Sequence, residues 1–285
     1  MENLVVDSPS VETSRRARRV KTDRVDGRKL LLMLVRHGGG ERGHWRVVRV
    51  PGVEDEDERR LHRERGRLSG EATAHRNRIL GLLMGQGLRV ERVGGRGWAE
   101  RLKALALPDR LRAELERERA RLLLVQTQLK ALEQARAACL GEKDNKRLRI
   151  AQVKQLMGLA AVGVNSAWVL VMEFFGWRKF KSRRELGALS GLVPTPYHSG
   201  EQEREQGISK AGNRRVRALL IELAWQWLRY QGQSALAKWL NARYGTGGSR
   251  SRRIGIVALA RKLLVALWRY LEHAVLPEGA RLKVG

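Results

Sequence analysis

The sequence predicts an α+β chain that is mostly helical, with its few strands near the N-terminus. Two short β-branched runs, Leu4-Val5-Val6 and Trp45-Arg46-Val47-Val48-Arg49-Val50, are closed by Pro9 and by Pro51-Gly52. Residues 54–84 and 108–139 carry apolar side chains at helical spacing, and the same spacing returns, broken by turns, from Leu148 to Val275. A length of 285 residues suggests two domains or one domain with insertions. The expected divisions are an N-terminal part over 1–53, long helices over 54–146 and a helical part over 147–285.

The Leu4–Ser10 segment reads as a short buried strand, which cannot stand alone and needs a pairing partner. An arginine-rich stretch follows, containing Arg15, Arg16, Arg18, Arg19 and Lys21. The next expected helix runs over 23–36, capped at Thr22 or Asp23, with Leu30, Leu31, Leu34 and Val35 on its apolar side. The Gly38-Gly39-Gly40 run ends it. In the 54–84 helix, Leu61, Leu68, Ala72, His75 and Ile79 mark the inner side, and Glu54 to Asp57 suit the positive end of the helix dipole.

Between 108 and 139, Leu115, Leu122 and Leu129 recur every seven residues, with Val125, Leu132 and Cys139 offset by three. This is a heptad seam, and it predicts a short antiparallel coiled coil or a dimerisation arm. Glu118 occupies a position where the seam wants an apolar residue, and Arg136 interrupts its end. Residues 141–146 read as a polar linker. In the C-terminal part the core candidates include Leu156, Trp168, Phe174, Leu223, Trp227 and Leu264. Most of the eight tryptophans belong to this core, although an indole can also stack on a base.

Charge limits the function classes. There are 57 Lys+Arg against 30 Asp+Glu, a formal net charge of +27, where solubility needs a magnitude of only about 2 to 8. Such an excess repels itself unless a polyanion offsets it, so nucleic acid is the expected partner. Arginine dominates over lysine, which favours forked contacts to phosphate. A GC-rich coding bias would also enrich Arg, Gly and Ala, and under that alternative the chain is a coiled-coil assembly protein. A single cysteine, Cys139, excludes a disulfide framework and a Cys-rich zinc site. No apolar run approaches the ~20 residues of a bilayer span, and the first residues do not form a secretory signal, so a cytoplasmic, nucleoid-associated protein without a membrane partner is expected.

Three segments carry chemical content. In Lys21-Thr22-Asp23-Arg24-Val25-Asp26, the two aspartates lie three apart and share a helical face. They read either as paired carboxylates for Mg²⁺ or as a first-turn capping and dipole feature. The turn Leu159-Ala160-Ala161-Val162-Gly163-Val164 reads either as the hairpin of a helix-hairpin-helix module, with Ala161 where glycine is usual, or as a plain helix–helix turn. The third is Gly191-Leu192-Val193-Pro194-Thr195-Pro196-Tyr197-His198-Ser199-Gly200, followed by Gly207-Ile208-Ser209-Lys210-Ala211-Gly212-Asn213-Arg214-Arg215. Prolines and glycines predict an extended loop. A serine on it, beside His198, Arg204, Lys210, Arg214 and Arg215, could attack a phosphodiester. Ser209 and Asn213 read equally well as helix caps.

Taken in order, Lys21-Thr22-Asp23-Arg24-Val25-Asp26, Arg76-Asn77-Arg78-Ile79, Gly191-Leu192-Val193-Pro194, His198-Ser199-Gly200 and Gly207 to Arg217 resemble the insertion-sequence transposases of the IS-one-ten, Piv-invertase-like type. The resemblance covers nearly the whole chain. It implies an N-terminal RuvC-like, RNase H-fold domain with an Asp-Glu-Asp-Asp carboxylate set for Mg²⁺. It also implies a coiled-coil arm for dimers or tetramers, and a helical C-terminal transposase domain whose serine bonds covalently to DNA. DNA is then the partner, and some members of the family are guided by a structured RNA. By motif, Asp23 and Asp26 match the last two carboxylates, and Ser199 matches the nucleophile better than Ser209. Arg15, Arg16, Arg18, Arg19, Lys21, Lys210, Arg214 and Arg215 are the expected nucleic-acid contacts.

In the family the first Asp and the Glu lie on strands upstream of the Val5-Val6-Asp7 strand. The expectation is therefore an N-terminally truncated RuvC-like domain with an incomplete Mg²⁺ site. Recombination should be weak or absent and binding retained. The alternative is a non-catalytic nucleic-acid-binding protein derived from such a transposase.

Overall fold

A computed structural model of the chain describes residues 3–7, 10–11, 23–41, 43–45, 47–90, 93–95, 97–142, 148–199 and 202–283, with the backbone alone at 23–26, 196–199 and 202–206. Arg15, Arg16, Arg18, Arg19, Lys21 and most of the expected 141–146 linker lie outside the described residues. The fold is mostly helical, with one small two-stranded sheet among the described residues, and divides into two compact units, Met1–Glu56 and Asp57–Gly285. No helix among the described residues is long and apolar enough to cross a membrane.

In the first unit, α1 (Asp23–Gly38) matches the expected helix. The expected apolar side is not its buried one. Leu30, Leu31, Leu34 and Val35 are 43 to 65% exposed, whereas Met33 is buried together with Trp45. The reason is local: the chain after α1 turns back so that His44 bonds the Met33 carbonyl at 2.9 Å and the Trp45 indole donates to His37 at 3.1 Å. The two expected strands meet in a single antiparallel bridge, Val6 to Val47, with Val48 N–H donating to the Val5 carbonyl. Val5 is exposed, which corrects the expectation of a buried strand.

The first unit ends within α2 (Val53–Asp57), and the second unit continues with α3 (Arg60–Met84), α4 (Trp98–Ala104) and α5 (Asp109–Gly141). Helices α3 and α5 run antiparallel: Arg65 pairs with Glu133 near one end, and His75 and Arg78 with Glu118 near the other. Leu68, Ala72, Ile79 and Leu83 pack against Leu115, Leu122 and Val125, and Trp98 and Leu102 of α4 join the same cluster. The heptad seam is thus satisfied within one chain. Its two polar interruptions are buried and bonded. Glu118 accepts from His75, Arg78 and Arg121. Arg136 donates to the Asn165 side chain and the Val164 carbonyl, with its guanidinium 4.8 Å from the centre of the Trp168 ring.

The C-terminal core is built from α6 (Leu148–Met157), α7 (Val164–Leu170), a π-helical turn (Val171–Phe175), α8 (Arg183–Ser190), α9 (Arg214–Tyr230), α10 (Ala235–Tyr244) and α11 (Ser249–His273). Trp168, Phe174, Leu223, Trp227 and Leu264 are almost wholly buried in it. The turn between α6 and α7 has Ala161 in the left-handed region at φ 81°, where the helix-hairpin-helix reading expects glycine. Its polar groups are spent inside the fold. Ala160 N–H donates to the Arg281 carbonyl and Val162 N–H to Leu159, while the Lys283 ammonium donates to the Val162 carbonyl. The plain-turn reading is the better one there, since those two amides already have partners.

The expected extended loop is instead a β-hairpin, β1 (Pro194–Ser199) and β2 (Gln202–Ile208), paired antiparallel from Pro194–Ile208 to Ser199–Gln202. Its register shifts between Pro194 and Pro196. Proline lacks the N–H a regular ladder needs, which confines it to edges and irregularities.

Candidate active site

The hairpin is held by a crossing of two backbones that only glycine permits. Helix α8 ends at Gly191, with φ +70°, and the segment entering α9 passes through Gly212, with φ +84°. A Cβ on Gly191 would lie 1.9 Å from the Ala211 carbonyl oxygen, and one on Gly212 would lie 2.1 Å from that of Leu189. The contact is secured by Ser209 N–H to Val193 at 2.8 Å, Lys210 N–H to Gly191 at 3.2 Å and Asn213 N–H to Leu189 at 2.9 Å. The Arg217 guanidinium adds bonds to the Ser190 and Ala211 carbonyls. Lys210 itself is left-handed at φ 56°, an uncommon state for a residue with a side chain.

Asn213 begins α9. Its side-chain oxygen accepts from Arg215 N–H at 3.0 Å and Val216 N–H at 3.2 Å, so the cap reading holds for Asn213. Ser209 does not cap; it sits at the base of the hairpin. The other end of the Asn213 amide donates to Glu173 Oε2 at 3.3 Å. Glu173 lies in the π-helical turn with only 2% of its side chain exposed. It also accepts from His62 Nε2 at 2.9 Å and from Arg63 at 2.7 and 3.2 Å. Burial pushes its pKa up, but the hydrogen bonds from His62 and Arg63 outweigh this and hold the carboxyl well below the ordinary carboxylate range. One carboxylate therefore joins α3, the π-helical turn and the first turn of α9. Close by, the Arg59 guanidinium lies 4.2 Å from the Trp177 ring and bonds the Met172 carbonyl.

The candidate residues separate into groups. Ser209, Lys210, Arg214 and Arg215 are together at the hairpin base, where Lys210 and Arg214 are exposed. Ser199 ends β1, opposite Gln202. At ~3.3 Å per strand residue, the five steps from Pro194 to Ser199 put it roughly 16 Å further out, so Ser199 and Ser209 cannot serve one phosphate. Asp23 and Asp26 fall in the first turn of α1, in the other unit. Among the described residues, no group of three or more His, Cys, Asp and Glu side chains is arranged to hold a metal ion.

Glu173, His62 and Arg63 were not singled out by sequence. One signal was available: in Ala167-Trp168-Val169-Leu170-Val171-Met172-Glu173-Phe174-Phe175, a single carboxylate stands in an otherwise apolar run. A charge there is buried and must have partners.

Residues 153–239, which contain Glu173, the glycine crossing, the whole hairpin and Asn213, match the family described as Transposase IS116/IS110/IS902. The chain is 42% identical over 295 aligned positions to "Putative transposase y4rJ" of Sinorhizobium fredii, covering 99% of this chain and 74% of that protein. This chain belongs to the IS116/IS110/IS902 transposase family. Two further relatives agree. The "Probable family 20 transposase" of Pseudomonas aeruginosa is 31% identical over 80% of this chain and 67% of its own length. The "Transposase for insertion sequence element IS1111A" of Coxiella burnetii is 29% identical over 81% of this chain and 63% of its own. As a transposase of an insertion sequence, the chain has DNA as its substrate class.

Proposed function

We propose that this transposase cuts and joins DNA strands through Ser199, with Asp23 and Asp26 as Mg²⁺ ligands. The observation that carries the reading is the hairpin itself, a serine at the end of a strand whose base is locked by the Gly191–Gly212 crossing. In the proposed step the Ser199 hydroxyl oxygen attacks a backbone phosphorus and a serine–phosphate ester forms. The bond from phosphorus to one deoxyribose oxygen breaks, and that oxygen takes up a proton. The hydroxyl of an exchanged strand then attacks the ester and releases the serine. Arginine and lysine at the hairpin base, Lys210, Arg214 and Arg215, would bind the flanking phosphates by charge-assisted hydrogen bonds. Asp23 and Asp26, three residues apart on one helix, form a donor set of the kind Mg²⁺ accepts, which uses one or two carboxylates and fills its remaining positions with water and substrate phosphate. Mg²⁺ bound there would polarise phosphate oxygens.

The wider assignment follows the same reading. Residues 1–53 belong to a RuvC-like domain, 54–146 to the arm and 147–285 to the transposase domain. The arm serves assembly into dimers or tetramers, and a structured RNA is a second partner. The arginine stretch from Arg15 to Lys21 binds nucleic acid.

The test is trapping of a protein–DNA adduct on element-end DNA under denaturing conditions. Wild type should give an adduct in low yield that needs Mg²⁺, as an impaired recombinase would, and Ser199→Ala should give none while keeping DNA affinity. An adduct that survives Ser199→Ala but disappears in Ser209→Ala would overturn the assignment. No adduct from any form would leave a nucleic-acid-binding protein.

A further inference from the structure

We infer that a groove between α8, α10 and α11 is the binding site for an unpaired nucleic-acid strand, running past the base of the β1–β2 hairpin. The groove has a volume of about 1330 Å³, and its wall includes Pro194, Gly207 and Ile208 of the hairpin. Arg183 and Arg184 enter from the start of α8, and Arg250, Arg253, Arg261 and Arg269 from α11. At ~1.5 Å per helical residue, the four on α11 span roughly 28 Å of one helix. None of these six forms an ion pair with another described residue, and Glu278 is the single acidic residue of the lining. A row of unopposed guanidinium groups repels itself and is relieved by a row of anions.

The floor distinguishes which anion. Between the arginines α11 places Ile254 and Val257, and Val275 and Leu276, just beyond the end of α11, also line the groove. Ile254 is 48% and Val275 55% exposed, and Trp239 lies beneath the Lys262 ammonium at 4.4 Å. Duplex DNA presents phosphate and sugar outward and has no base faces to lay on such a floor. An unpaired strand offers phosphates to the arginines and bare base faces to the apolar surface. The segment Gly247-Gly248-Ser249-Arg250-Ser251-Arg252-Arg253 thereby gains a role, as the mouth of the groove. The inference rests on the proposed strand-transfer reading only for why an unpaired strand should pass the hairpin; binding itself does not require Ser199.

Fluorescence anisotropy of the full chain with 15-nucleotide single-stranded DNA, RNA of the same sequence and the matching DNA duplex tests this. The triple variant Arg250→Gln, Arg253→Gln, Arg261→Gln should weaken single-strand binding at least 10-fold. It should also flatten the dependence of log affinity on log salt by about 2, at ~0.7 per phosphate contact. Duplex binding should change less than 3-fold. Arg→Lys at the same positions should restore most of the loss, and Val275→Asp, an exposed floor position, should weaken single strands alone. Preference for the RNA over the DNA arm identifies the strand as RNA, and the reverse as DNA. Equal losses for duplex and single strand, or no loss in the triple variant, would overturn the inference. Adduct trapping by the same variants separates the two readings: wild type without adduct but with groove-dependent binding defeats only the serine assignment.

Discussion

Two buried carboxylates, Glu118 in the helical arm and Glu173 in the C-terminal core, do opposite things with the same chemistry. Each is almost wholly buried and each accepts from a histidine and from arginine. The difference lies in the partners. Arg78 and Arg121 around Glu118 are 55% and 54% exposed, so they can turn back into water if the carboxylate is lost. His62 beside Glu173 is 1% exposed, and the Asn213 amide is tied into the cap of α9. Glu118 is thus a polar pin on an otherwise apolar seam, while Glu173 is the junction through which the arm reaches the segment below the candidate serine.

The largest effect should come from Glu173→Ala. Removing one member of a buried pair leaves its partners unsatisfied and costs about 3 to 5 kcal/mol. Thermal melting should show it, together with loss of DNA transfer. If the variant melts like wild type, the junction is not what holds the hairpin base.

Acid tests the carboxylates next. Hydrogen bonding from His75, helped by Arg78 and Arg121 and opposed by burial, lowers Glu118 from 4.5 to about 2. A folded pKa below the unfolded one means that Glu118 stabilises above pH 4.5 and loses this as pH falls through about 2. Acid unfolding followed by circular dichroism should move to higher pH in wild type relative to Glu118→Gln corrected for its neutral-pH stability. Glu173, whose carboxyl is likewise held below the ordinary carboxylate range by His62 and Arg63 against the effect of burial, should also lose its contribution only in acid.

Asn213→Ala should cost about 1 kcal/mol for the cap and somewhat more for the lost bond to Glu173. Asn213→Asp would keep the cap and place a second carboxylate against Glu173, so it should be worse than Asn213→Ala if the junction reading is correct. Smallest of all should be Glu118→Leu, with a change of under about 1 kcal/mol of either sign, because the half-exposed Arg78 and Arg121 can turn into water and a leucine completes the apolar seam. A loss of several kcal/mol there would erase the contrast with Glu173.

The arm was the most legible part of the fold. Residues at heptad spacing, Leu115, Leu122 and Val125, are buried as their periodicity requires, since a helix repeats its face every seven residues whatever it packs against. Helix α1 was legible as a helix but not in its buried side, because which of several leucines is covered depends on what the following chain does. The hairpin was read as a loop: Pro194 and Pro196 obscure a strand, and pairing between β1 and β2 is decided by the partner. Ser199, Asp23 and Asp26 were singled out among several readings by the resemblance, and their roles are those of the proposal above.

By itself the sequence determined the helical character, the seam of the arm, the excess of positive charge and the order of motifs that marks the transposase family. These are local or compositional, and no distant contact is needed to fix them. Only the tertiary structure decided that Glu173, His62, Arg63 and Asn213 meet, that Gly191 and Gly212 let two backbones cross, and that arginines from α8 and α11 line one groove. Each of these joins residues far apart in the chain, and a buried charge or a missing Cβ acquires its meaning from the atom that packing brings against it.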